Sequence, residues 1–436
     1  MPEYYALILF ALIFLMILSG YPVAFTLGGV SVIFGYFALG PEFFNFLPLR
    51  IFGTMNNAVL MAVPLFIFMG IMLEKSGLAE SMLETMALLF GRFRGGLAIA
   101  VIIVGAMLAA STGIVGATVI TMGLISLPTM LKRGYSPELA TGTIASSGTL
   151  GQIIPPSVVL VLLGSVLNVS VGDLFKAAVV PGVALVLMYI LYIVGVAWLR
   201  PQHAPSMPEE EITNFRAAKG SMFSKVFTAF IMPLLLIVAV LGSIFAGIAS
   251  PTEAAAVGAL GATILTIASG KFRFTTLKEV MMDTTHLTAM VFMILMGATA
   301  FSLVFRGMGG DQYLIEVIEQ AQLSPAMFLF IVMLVIFVAG FFIDFIEIIF
   351  IIVPVVYPIF VQFNIDLIWI GILIALNLQT SFLTPPFGFS LFYLKGVAPP
   401  SVSTQHLYRG IIPFICIQLV FLALAILFPQ LVTGML

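Results

Sequence analysis

Four short polar segments interrupt otherwise apolar stretches of this 436-residue chain, and their residue types suit the binding of an ion. Two lie in the first half, at 110–116 (ASTGIVG) and 146–156 (SSGTLGQIIPP), and two in the second half, at 340–344 (GFFID) and 377–386 (NLQTSFLTPP). Their hydroxyl-bearing residues are Ser111, Thr112, Ser146, Ser147, Thr149, Thr380, Ser381 and Thr384. Several neutral oxygens without a strong compensating charge suit a hard monovalent cation. We therefore predict one Na⁺ site in each half, with an anionic substrate between them.

Two of these segments end in a double proline, Pro155-Pro156 and Pro385-Pro386. Proline withholds a backbone N–H and disfavours a helix just before it, which leaves carbonyl oxygens without helical partners. The carbonyls concerned include those of Gly151, Ile154, Ser381 and Thr384. The alternative is that Ser, Thr and Gly serve close helix packing here, as small residues do in membranes. The Na⁺ dependence of uptake after Ser147 or Thr380 is replaced by alanine separates the two interpretations.

The acidic residues Asp344 and Glu347 are the charged residues that stand out most clearly within an apolar stretch. Their spacing places both on one face of a helix, and charged groups at membrane depth are costly and usually functional. In one interpretation Asp344 is a cation or proton site. In the other, the pair lies on a surface of the hairpin that faces water or another subunit. Both stay open. Glu253 differs, because the preceding Ser250-Pro251-Thr252 favours a helix start that an acid would cap.

The composition places the whole chain in a lipid bilayer. Hydrophobic residues make up 61% of it and charged residues only 8%, against roughly 25% in a typical soluble domain. So few charges cannot coat a soluble globule, which excludes an ordinary soluble enzyme, a nucleic-acid-binding protein and a disordered protein. The single Cys416 excludes a disulfide framework. The N-terminus lacks a basic region and a small-residue cleavage site, so it is predicted to be a first membrane helix.

Apolar runs long enough to cross a membrane predict the helical spans. They cover 5–20, 22–39, 50–73, 177–199, 226–248, 252–270, 285–305 and 410–432. Two longer regions, about 96–131 and 324–360, are predicted to be re-entrant helical hairpins. Two more, about 137–165 and 366–394, are predicted to be discontinuous helices. A polar linker at 201–225 separates a first repeat, 1–200, from a second repeat, 226–436.

The distribution of basic residues supports this topology. With the hairpins returning to the side they entered, fourteen basic residues lie inside and three outside, which agrees with the positive-inside rule. The inside set is Lys75, Arg92, Arg94, Lys132, Arg133, Arg200, Arg216, Lys219, Lys225, Lys271, Arg273, Lys278, Lys395 and Arg409; the outside set is Arg50, Lys176 and Arg306. Both termini are then predicted to be periplasmic and the central linker cytoplasmic. Arg306 either snorkels at a helix end or contacts a substrate anion.

The two halves also match weakly at a nearly constant offset. Pro128, Ala145, Pro155 and Pro156 recur 230 residues later as Pro358, Ala375, Pro385 and Pro386, and Gly77 pairs with Gly307. Pro22 and Gly29 recur 229 residues later as Pro251 and Gly258. Because the first half starts outside and the second half inside, the repeats are related by inversion, as in many secondary transporters. The predicted fold class is an all-α polytopic membrane protein with an inverted-topology repeat, two re-entrant hairpins and two discontinuous helices.

Several sequence motifs together resemble the large membrane subunit, of the DctM or SiaM type, of tripartite ATP-independent periplasmic (TRAP) transporters. They are GIASPTEAAA at 247–256, PLFIFMG at 64–70, SSGTLGQIIPPS at 146–157 and LTPPFG at 383–388. The resemblance covers nearly the full length. It implies an elevator-type transporter in a bacterial inner membrane that couples Na⁺ entry to the uptake of an organic acid. It also implies two partners, a periplasmic solute-binding protein and a small four-helix membrane subunit, which is expected to be a separate chain here.

The same resemblance implies which residues form the sites. The first Na⁺ site is expected at Ser111, Thr112 and Gly113 with Ser146, Ser147, Gly148 and Pro155. The second is expected at Gly340 and Phe341 with Thr380, Ser381 and Thr384, and the interpretation of Asp344 as a cation site adds that residue to it. The second tip replaces Ser-Thr-Gly by Phe-Phe-Ile ahead of Asp344, so backbone carbonyls are expected to contribute more there. Substrate-binding residues are expected at Thr149, Gln152, Gln379 and Pro386.

Three other functions remain as alternatives. A stand-alone divalent-anion/sodium symporter would share the hairpin plan but need no binding protein. An ion channel would conduct without a Na⁺ gradient and without saturation. An intramembrane enzyme would need a nucleophile or an acid pair, and Asp344 with Glu347 is the only candidate pair. We predict that the chain is not an enzyme. The chain has no Walker loop, catalytic triad or zinc motif, which argues against ATP-driven transport by this chain.

Overall fold

The computed structural model describes residues 4–208 and 226–436, and regular secondary structure in these ranges is helical. The first range contains α1 (Tyr5–Leu18), α2 (Val23–Leu39), α3 (Leu47–Met55), α4 (Ala62–Lys75), α5 (Leu78–Phe90), α6 (Gly96–Thr112), α7 (Val115–Lys132), α8 (Pro137–Thr149), α9 (Val158–Leu167) and α10 (Val171–Leu199). The second contains α11 (Met232–Phe245), α12 (Pro251–Ala268), α13 (Phe274–Gly307), α14 (Gly310–Gln320), α15 (Pro325–Ala339), α16 (Phe345–Gln362), α17 (Leu367–Leu383), α18 (Phe389–Val397), α19 (Thr404–Leu427) and α20 (Gln430–Thr433).

The predicted all-α polytopic fold is confirmed. Eight helical segments in the described ranges are long and apolar enough to cross a membrane. Their outer surfaces carry large apolar side chains such as Phe37 and Trp198, which are 77% and 81% exposed. Exposure of such side chains to water would cost free energy, whereas contact with lipid does not. The predicted linker falls largely on residues 209–225, and these, with Arg216, Lys219 and Lys225, lie outside the described residues.

The predicted span at 50–73 starts too early, because the candidate membrane span in this region is Ala58–Lys75. Residues 50–73 form α3, a short 3₁₀ turn (Ala58–Met61) and α4, with a break at Asn56 and Asn57. The Asn57 side-chain oxygen Oδ1 accepts a hydrogen bond from the Val59 N–H at 3.0 Å, and its side-chain amide Nδ2 donates to the Ser165 hydroxyl at 3.1 Å. Asn57 therefore starts a new helix, as Asn does at N-terminal caps. A hydropathy window cannot detect this break, because one polar pair barely changes its average.

Two short connecting helices, α5 and α14, were not predicted from the sequence. Each follows a glycine with a left-handed backbone, Gly77 at φ +72° and Gly309 at φ +77°. The sequence comparison paired Gly77 with Gly307, which is the last residue of α13. The glycine that turns the chain in the second half is therefore Gly309, two residues later, because only that position needs a positive φ.

Polar caps begin several of the helices. Ser136, Ser157 and Ser170 each accept a backbone N–H in the first turn of α8, α9 and α10. Ser250 and Glu253 form a reciprocal capping box at the start of α12, so the sequence-based interpretation of Glu253 as a cap is confirmed. These bonds satisfy N–H groups that would otherwise be left without partners at a helix end.

The two halves of the chain interlock at the centre of the molecule. The second arm of the first helix pair, α7, packs against α18, and the corresponding arm in the second half, α16, packs against α9. Helix α8 lies among α6, α7 and α19, and α17 lies among α9, α10, α15 and α19. Each broken helix is thus held by elements from both halves.

Basic residues from distant parts of the chain meet at shared contacts. Lys75 forms an ion pair with Asp283 at 2.6 Å, and Lys271 donates to the Gly77 carbonyl at 2.7 Å. A cavity of about 550 Å³ is lined by Arg200, Arg409 and His203 at the start of α8 and the end of α10. Two pairs from the predicted inside set, Lys75 with Lys271 and Arg200 with Arg409, therefore lie close to each other.

Candidate functional site

The tip of the first helix pair abuts the break in the first discontinuous helix. Helix α6 ends at Thr112, Gly113 turns the chain at φ +63°, and α7 begins at Val115. A Cβ added at Gly113 would lie 2.8 Å from the Val158 side chain and 3.1 Å from the Val158 nitrogen. Val158 is the first residue of α9, beyond the break. The tip in segment 110–116 therefore lies against the start of α9, just beyond segment 146–156.

The first break leaves two helix ends facing one region. Helix α8 ends at Thr149, one 3₁₀ turn follows at Leu150–Gln152, and the Pro155-Pro156 peptide bond is cis. Ser157 donates to the Gln152 carbonyl at 2.9 Å and caps α9. A helix C-terminus presents carbonyl oxygens and a partial negative charge, and a helix N-terminus presents N–H groups and a partial positive charge. Such a break can hold a cation and an anion next to each other.

Four buried hydroxyls of the first half donate to their own helix. Ser111 donates to Leu108 at 2.8 Å, Ser146 to Thr143 at 3.1 Å, and Ser147 to Ile144 at 2.9 Å. Thr149 does the same to Ser146 at 3.0 Å. A hydroxyl that has placed its one hydrogen in this way keeps its lone pairs available as acceptors. The oxygen atoms of these hydroxyls can therefore accept a further contact, as a cation ligand does.

Close helix packing occupies the same surface. A Cβ at Gly105 would lie 2.5 Å from the Ser147 hydroxyl oxygen, and one at Gly151 would overlap the Ala109 backbone. Similarly, one at Gly148 would overlap Val119 on α7. Ser147 thus packs against α6 about two turns before the tip, so packing is part of its role. The ion-binding and packing interpretations of this segment are compatible, because the glycines create the close approach.

The second half repeats the arrangement with a longer tip. Helix α15 ends at Ala339, residues 340–344 form the tip, and α16 begins at Phe345. A Cβ at Gly340 would overlap the Ser381 hydroxyl, which donates to Leu378 at 2.8 Å. Thr380 donates to Leu376 and Thr384 to Thr380, both at 2.8 Å. Helix α17 ends at Leu383, the Pro385-Pro386 bond is cis, and α18 begins at Phe389. Gly340 and Ser381, predicted to share a site, are in contact.

Asp344 and Glu347 form the start of α16. The Asp344 carboxylate accepts the Phe345 N–H at 2.7 Å, and the Glu347 carboxylate accepts the Asp344 N–H at 3.1 Å. The Asp344 carboxylate also accepts the Glu347 N–H, and this bond together with the Glu347 bond to the Asp344 N–H forms a capping box. The structure thereby supplies a local reason for two acids in an apolar stretch. Asp344 as a cation ligand remains a prediction.

Aromatic rings surround the second tip. The Phe341 ring packs on Phe337 at 5.0 Å between centroids, and Phe342 packs on Phe387, just after the double proline, at 5.3 Å. The Pro386 carbonyl, in the predicted substrate set, accepts the Tyr408 hydroxyl at 2.9 Å. That acceptor is therefore partly engaged in holding the break against α19.

The predicted substrate residues Gln152 and Gln379 have an unusual property. Both side chains are fully buried, and among the described residues no hydrogen bond of good geometry reaches either amide, although the Gln379 amide lies close to the Tyr189 hydroxyl. Leaving a buried polar group unpaired costs about 1–3 kcal/mol, so such groups are rare without a functional reason. One residue lies in each broken region, in the last turns before each double proline. They fit a polar ligand that binds at both breaks.

Sequence reasoning missed several further buried polar residues, among them Thr143, Gln418 and Tyr189. Thr143, in α8, also has an unpartnered hydroxyl. Gln418 donates to the Tyr189 hydroxyl at 2.6 Å, and its own carbonyl oxygen is unpartnered. Gln418 could have been found, because it is a polar residue inside the apolar run of α19. Thr143 and Tyr189 carry no such signal. Among the described residues, no group of three or more His, Cys, Asp or Glu is placed to hold a metal ion.

Comparison with known proteins gives one family and several relatives. The family described as "Tripartite ATP-independent periplasmic transporter, DctM component" matches residues 10–431. The C4-dicarboxylate TRAP transporter large permease protein DctM of Pseudomonas aeruginosa is 33% identical over 405 residues, covering 92% of this chain and 91% of that protein. The ectoine TRAP transporter large permease protein TeaC of Halomonas elongata is 30% identical over 418 residues, covering 95% of each.

A third relative and one solved structure extend the comparison. The sialic acid TRAP transporter large permease protein SiaM of Vibrio cholerae is 29% identical over 418 residues, covering 95% of this chain and 94% of that protein. The crystal structure of the Alcanivorax borkumensis YdaH transporter superposes with a TM-score of 0.64 at 14% identity, covering 91% of this chain and 90% of that chain. At that identity the likeness concerns the fold alone.

Proposed function

Because this chain belongs to the DctM component family of tripartite ATP-independent periplasmic transporters, we propose that it is the permease of a Na⁺-coupled secondary transporter for an organic acid. The observation that carries the proposal is the pairing, once in each half, of a hairpin tip with a broken helix. At both places buried hydroxyls keep free lone pairs, and a helix C-terminus adds carbonyl oxygens. Neutral oxygens of this kind bind Na⁺.

The proposed mechanism is an elevator movement. The helix pairs α6–α7 and α15–α16, taken as re-entrant hairpins, move together with the broken helices α8–α9 and α17–α18. The packing of α7 on α18 and of α16 on α9 supports this, because it joins both halves into one body. The bound Na⁺ ions and the substrate would cross the membrane within that body, against a scaffold built from the remaining helices, in an inverted repeat.

The proposed cargo is a carboxylate. The relatives are named for C4-dicarboxylates, ectoine and sialic acid, and all of these carry a carboxylate group. Gln152 and Gln379 supply amide N–H donors, and the N-terminal ends of α9 and α18 supply backbone N–H groups. These groups suit the oxygen atoms of an organic acid bound next to Na⁺.

The proposed partners follow from the tripartite family. A periplasmic solute-binding protein would deliver the substrate, and a small four-helix membrane subunit would enlarge the scaffold. The proposed location is a bacterial inner membrane, with periplasmic termini and a cytoplasmic linker. Wide apolar surfaces such as the exposed Phe25, Phe37 and Leu49 near the N-terminus support contact with lipid or another membrane subunit.

Reconstitution into liposomes tests the proposal. We expect uptake of succinate, as a C4-dicarboxylate probe, to require an inward Na⁺ gradient, the small subunit and the binding protein. Uptake that is unchanged without the binding protein would favour the stand-alone symporter. Flux that does not saturate and persists with K⁺ on both sides would favour a channel. Either result would contradict the proposed function.

Substitution of Gln152 by leucine separates a ligand-binding role from a structural one. Leucine removes an unpaired buried amide, so we expect the unliganded protein to gain about 1–3 kcal/mol of stability. We expect uptake to fall at least about tenfold, because the substrate loses a polar partner. The measurements are thermal unfolding in detergent and the initial rate of uptake. A loss of stability together with a loss of uptake would instead indicate that the amide holds the fold.

A further inference from the structure

A cavity of about 440 Å³ lies apart from the two helix breaks and contains two arginines, Arg50 and Arg306. Its walls come from α3, the segment that precedes α4, the end of α9, α13 and α16. Polar side chains such as Asn57, Ser165 and Thr299 complete the lining. Pockets of 300–1,000 Å³ hold small molecules in other proteins. The cavity is therefore large enough for a small organic acid.

The charge of the cavity is positive. No Asp or Glu is among the described residues that line it. Arg50 is exposed and forms no ion pair within residues 4–208 and 226–436. Arg306 is held by Asp311, with 3.3 Å between its Nε atom and the carboxylate, and 45% of its side chain is exposed. Its other guanidinium N–H groups remain available, because the fork has five donors.

The polar groups around the arginines are ordered by contacts between helices. The Asn57 amide donates to Ser165 at 3.1 Å, which joins the segment before α4 to α9. Thr54 and Thr299 share a hydrogen bond of 3.3 Å, which joins α3 to α13. The cavity thus lies on the seam between α9 and α16, which belong to the proposed moving body, and α3 and α13, which do not.

We propose that this cavity is a carboxylate-binding site that receives the cargo before it reaches the helix breaks. The four polar segments at the breaks contain no basic residue, so they offer no guanidinium to an organic acid. A guanidinium matches a carboxylate in shape and can donate two parallel hydrogen bonds to it. A cationic cavity also raises the local concentration of anions and their rate of arrival. The inference rests on the proposed function for the identity of the cargo.

Chemical labelling tests the site without transport. Ser302 lines the cavity, and Cys416 is the single native cysteine, so a Ser302→Cys variant is made in a Cys416→Ala background. The full chain is placed in lipid nanodiscs without any ion gradient. We expect the anionic reagent methanethiosulfonate ethylsulfonate to react about tenfold faster than its trimethylammonium counterpart. We also expect succinate to slow the reaction of both reagents.

Arg50→Gln is the decisive variant, because Arg50 is exposed and its removal leaves no described acid unpaired. We expect it to abolish most of the preference for the anionic reagent and to raise the succinate concentration needed for protection at least about tenfold. The effect of Arg306→Gln would be harder to interpret, because the loss of Arg306 would also leave the Asp311 carboxyl, whose pKa is raised by burial, without its partner. Arg306→Lys keeps the charge and is used in its place, with an expected partial loss of protection.

Lys176→Gln is the matched control. Lys176 is a basic residue of the same predicted outside set, pairs with Asp173 at 3.5 Å and does not line the cavity. The Lys176→Gln variant should leave both the preference for the anionic reagent and the protection by succinate unchanged. Equal labelling by the two reagents, or protection by succinate that survives Arg50→Gln, would overturn the proposal. Neither result bears on Na⁺-driven uptake, and a failure of uptake in liposomes would not change the labelling.

Discussion

Replacing Ser381 by alanine is expected to raise the Na⁺ concentration for half-maximal uptake at least about tenfold, which corresponds to about 1.4 kcal/mol of binding free energy. The Ser381 hydroxyl lies against Gly340 at the second hairpin tip and donates its hydrogen to Leu378. Its lone pairs are therefore free for a cation, and alanine removes one neutral oxygen from the proposed site. The measurement is the initial rate of uptake into proteoliposomes as external Na⁺ is varied at constant ionic strength.

Ser243→Ala supplies the control for this loss. Ser243 makes the same type of bond to the carbonyl three residues earlier, Val240, at 2.7 Å, but it lies in α11, away from both tips. Its removal should leave the Na⁺ dependence unchanged. A second matched pair consists of two buried threonines that bond four residues back at 2.8 Å, Thr380 to Leu376 and Thr266 to Ala262. If the Thr380 and Thr266 variants behave alike, and Ser381→Ala matches Ser243→Ala, the hydroxyls serve packing alone.

Replacing Gly70 by alanine is expected to reduce uptake by about a hundredfold or more. Gly70 lies in α4, and a Cβ there would overlap the Ser111 carbonyl group and the Thr112 Cα atom at the first hairpin tip. Backbone atoms cannot rotate away as a side chain can, so the tip or α4 has to move. A displaced tip would lose its position against Val158 at the break, and ligand geometry within a fraction of an ångström matters for ion sites.

Gly195→Ala is the control for the Gly70 variant. Gly195 lies in the interior of α10, and an added Cβ would meet nothing within 4 Å. Alanine there should keep uptake at the parent level and stabilise the helix by up to about 1 kcal/mol. Size-exclusion profiles and thermal unfolding in detergent show whether the Gly70 variant still folds. A folded Gly70→Ala protein with normal uptake would show that α4 does not restrain the tip.

The two predictions examine different requirements of the same site. The serine variant removes an oxygen and keeps the backbone in place, so it should change ion affinity more than the maximal rate. The glycine variant keeps every oxygen but moves the tip, so it should lower the maximal rate even at saturating Na⁺. Observing both patterns would separate the chemistry of the site from its geometry.

The helical elements around the site follow closely from the sequence. The predicted hairpins at 96–131 and 324–360 correspond to helix pairs that end at Lys132 and Gln362, and the double prolines lie at both breaks in the discontinuous helices. These features depend on local properties, because apolar length, proline and glycine act within a few residues of themselves. The break at Asn57 was missed, because a single polar pair barely changes the hydropathy of the apolar stretch around it, and its bond to Ser165, more than a hundred residues away, depends on the packing of the helices.

Composition and residue spacing were enough to place the chain in a membrane and to predict neutral oxygens as its ion-binding groups, because both are local properties of a sequence. Tertiary structure alone decided which of those oxygens meet. It placed Ser381 at a hairpin tip and Ser147 against Gly105, and it made Asp344 a helix cap. It also showed that Gln152 is buried without a hydrogen-bond partner among the described residues and that Arg50 and Arg306 share one cavity. These relations join residues far apart in the chain, so only the packing of the helices could set them.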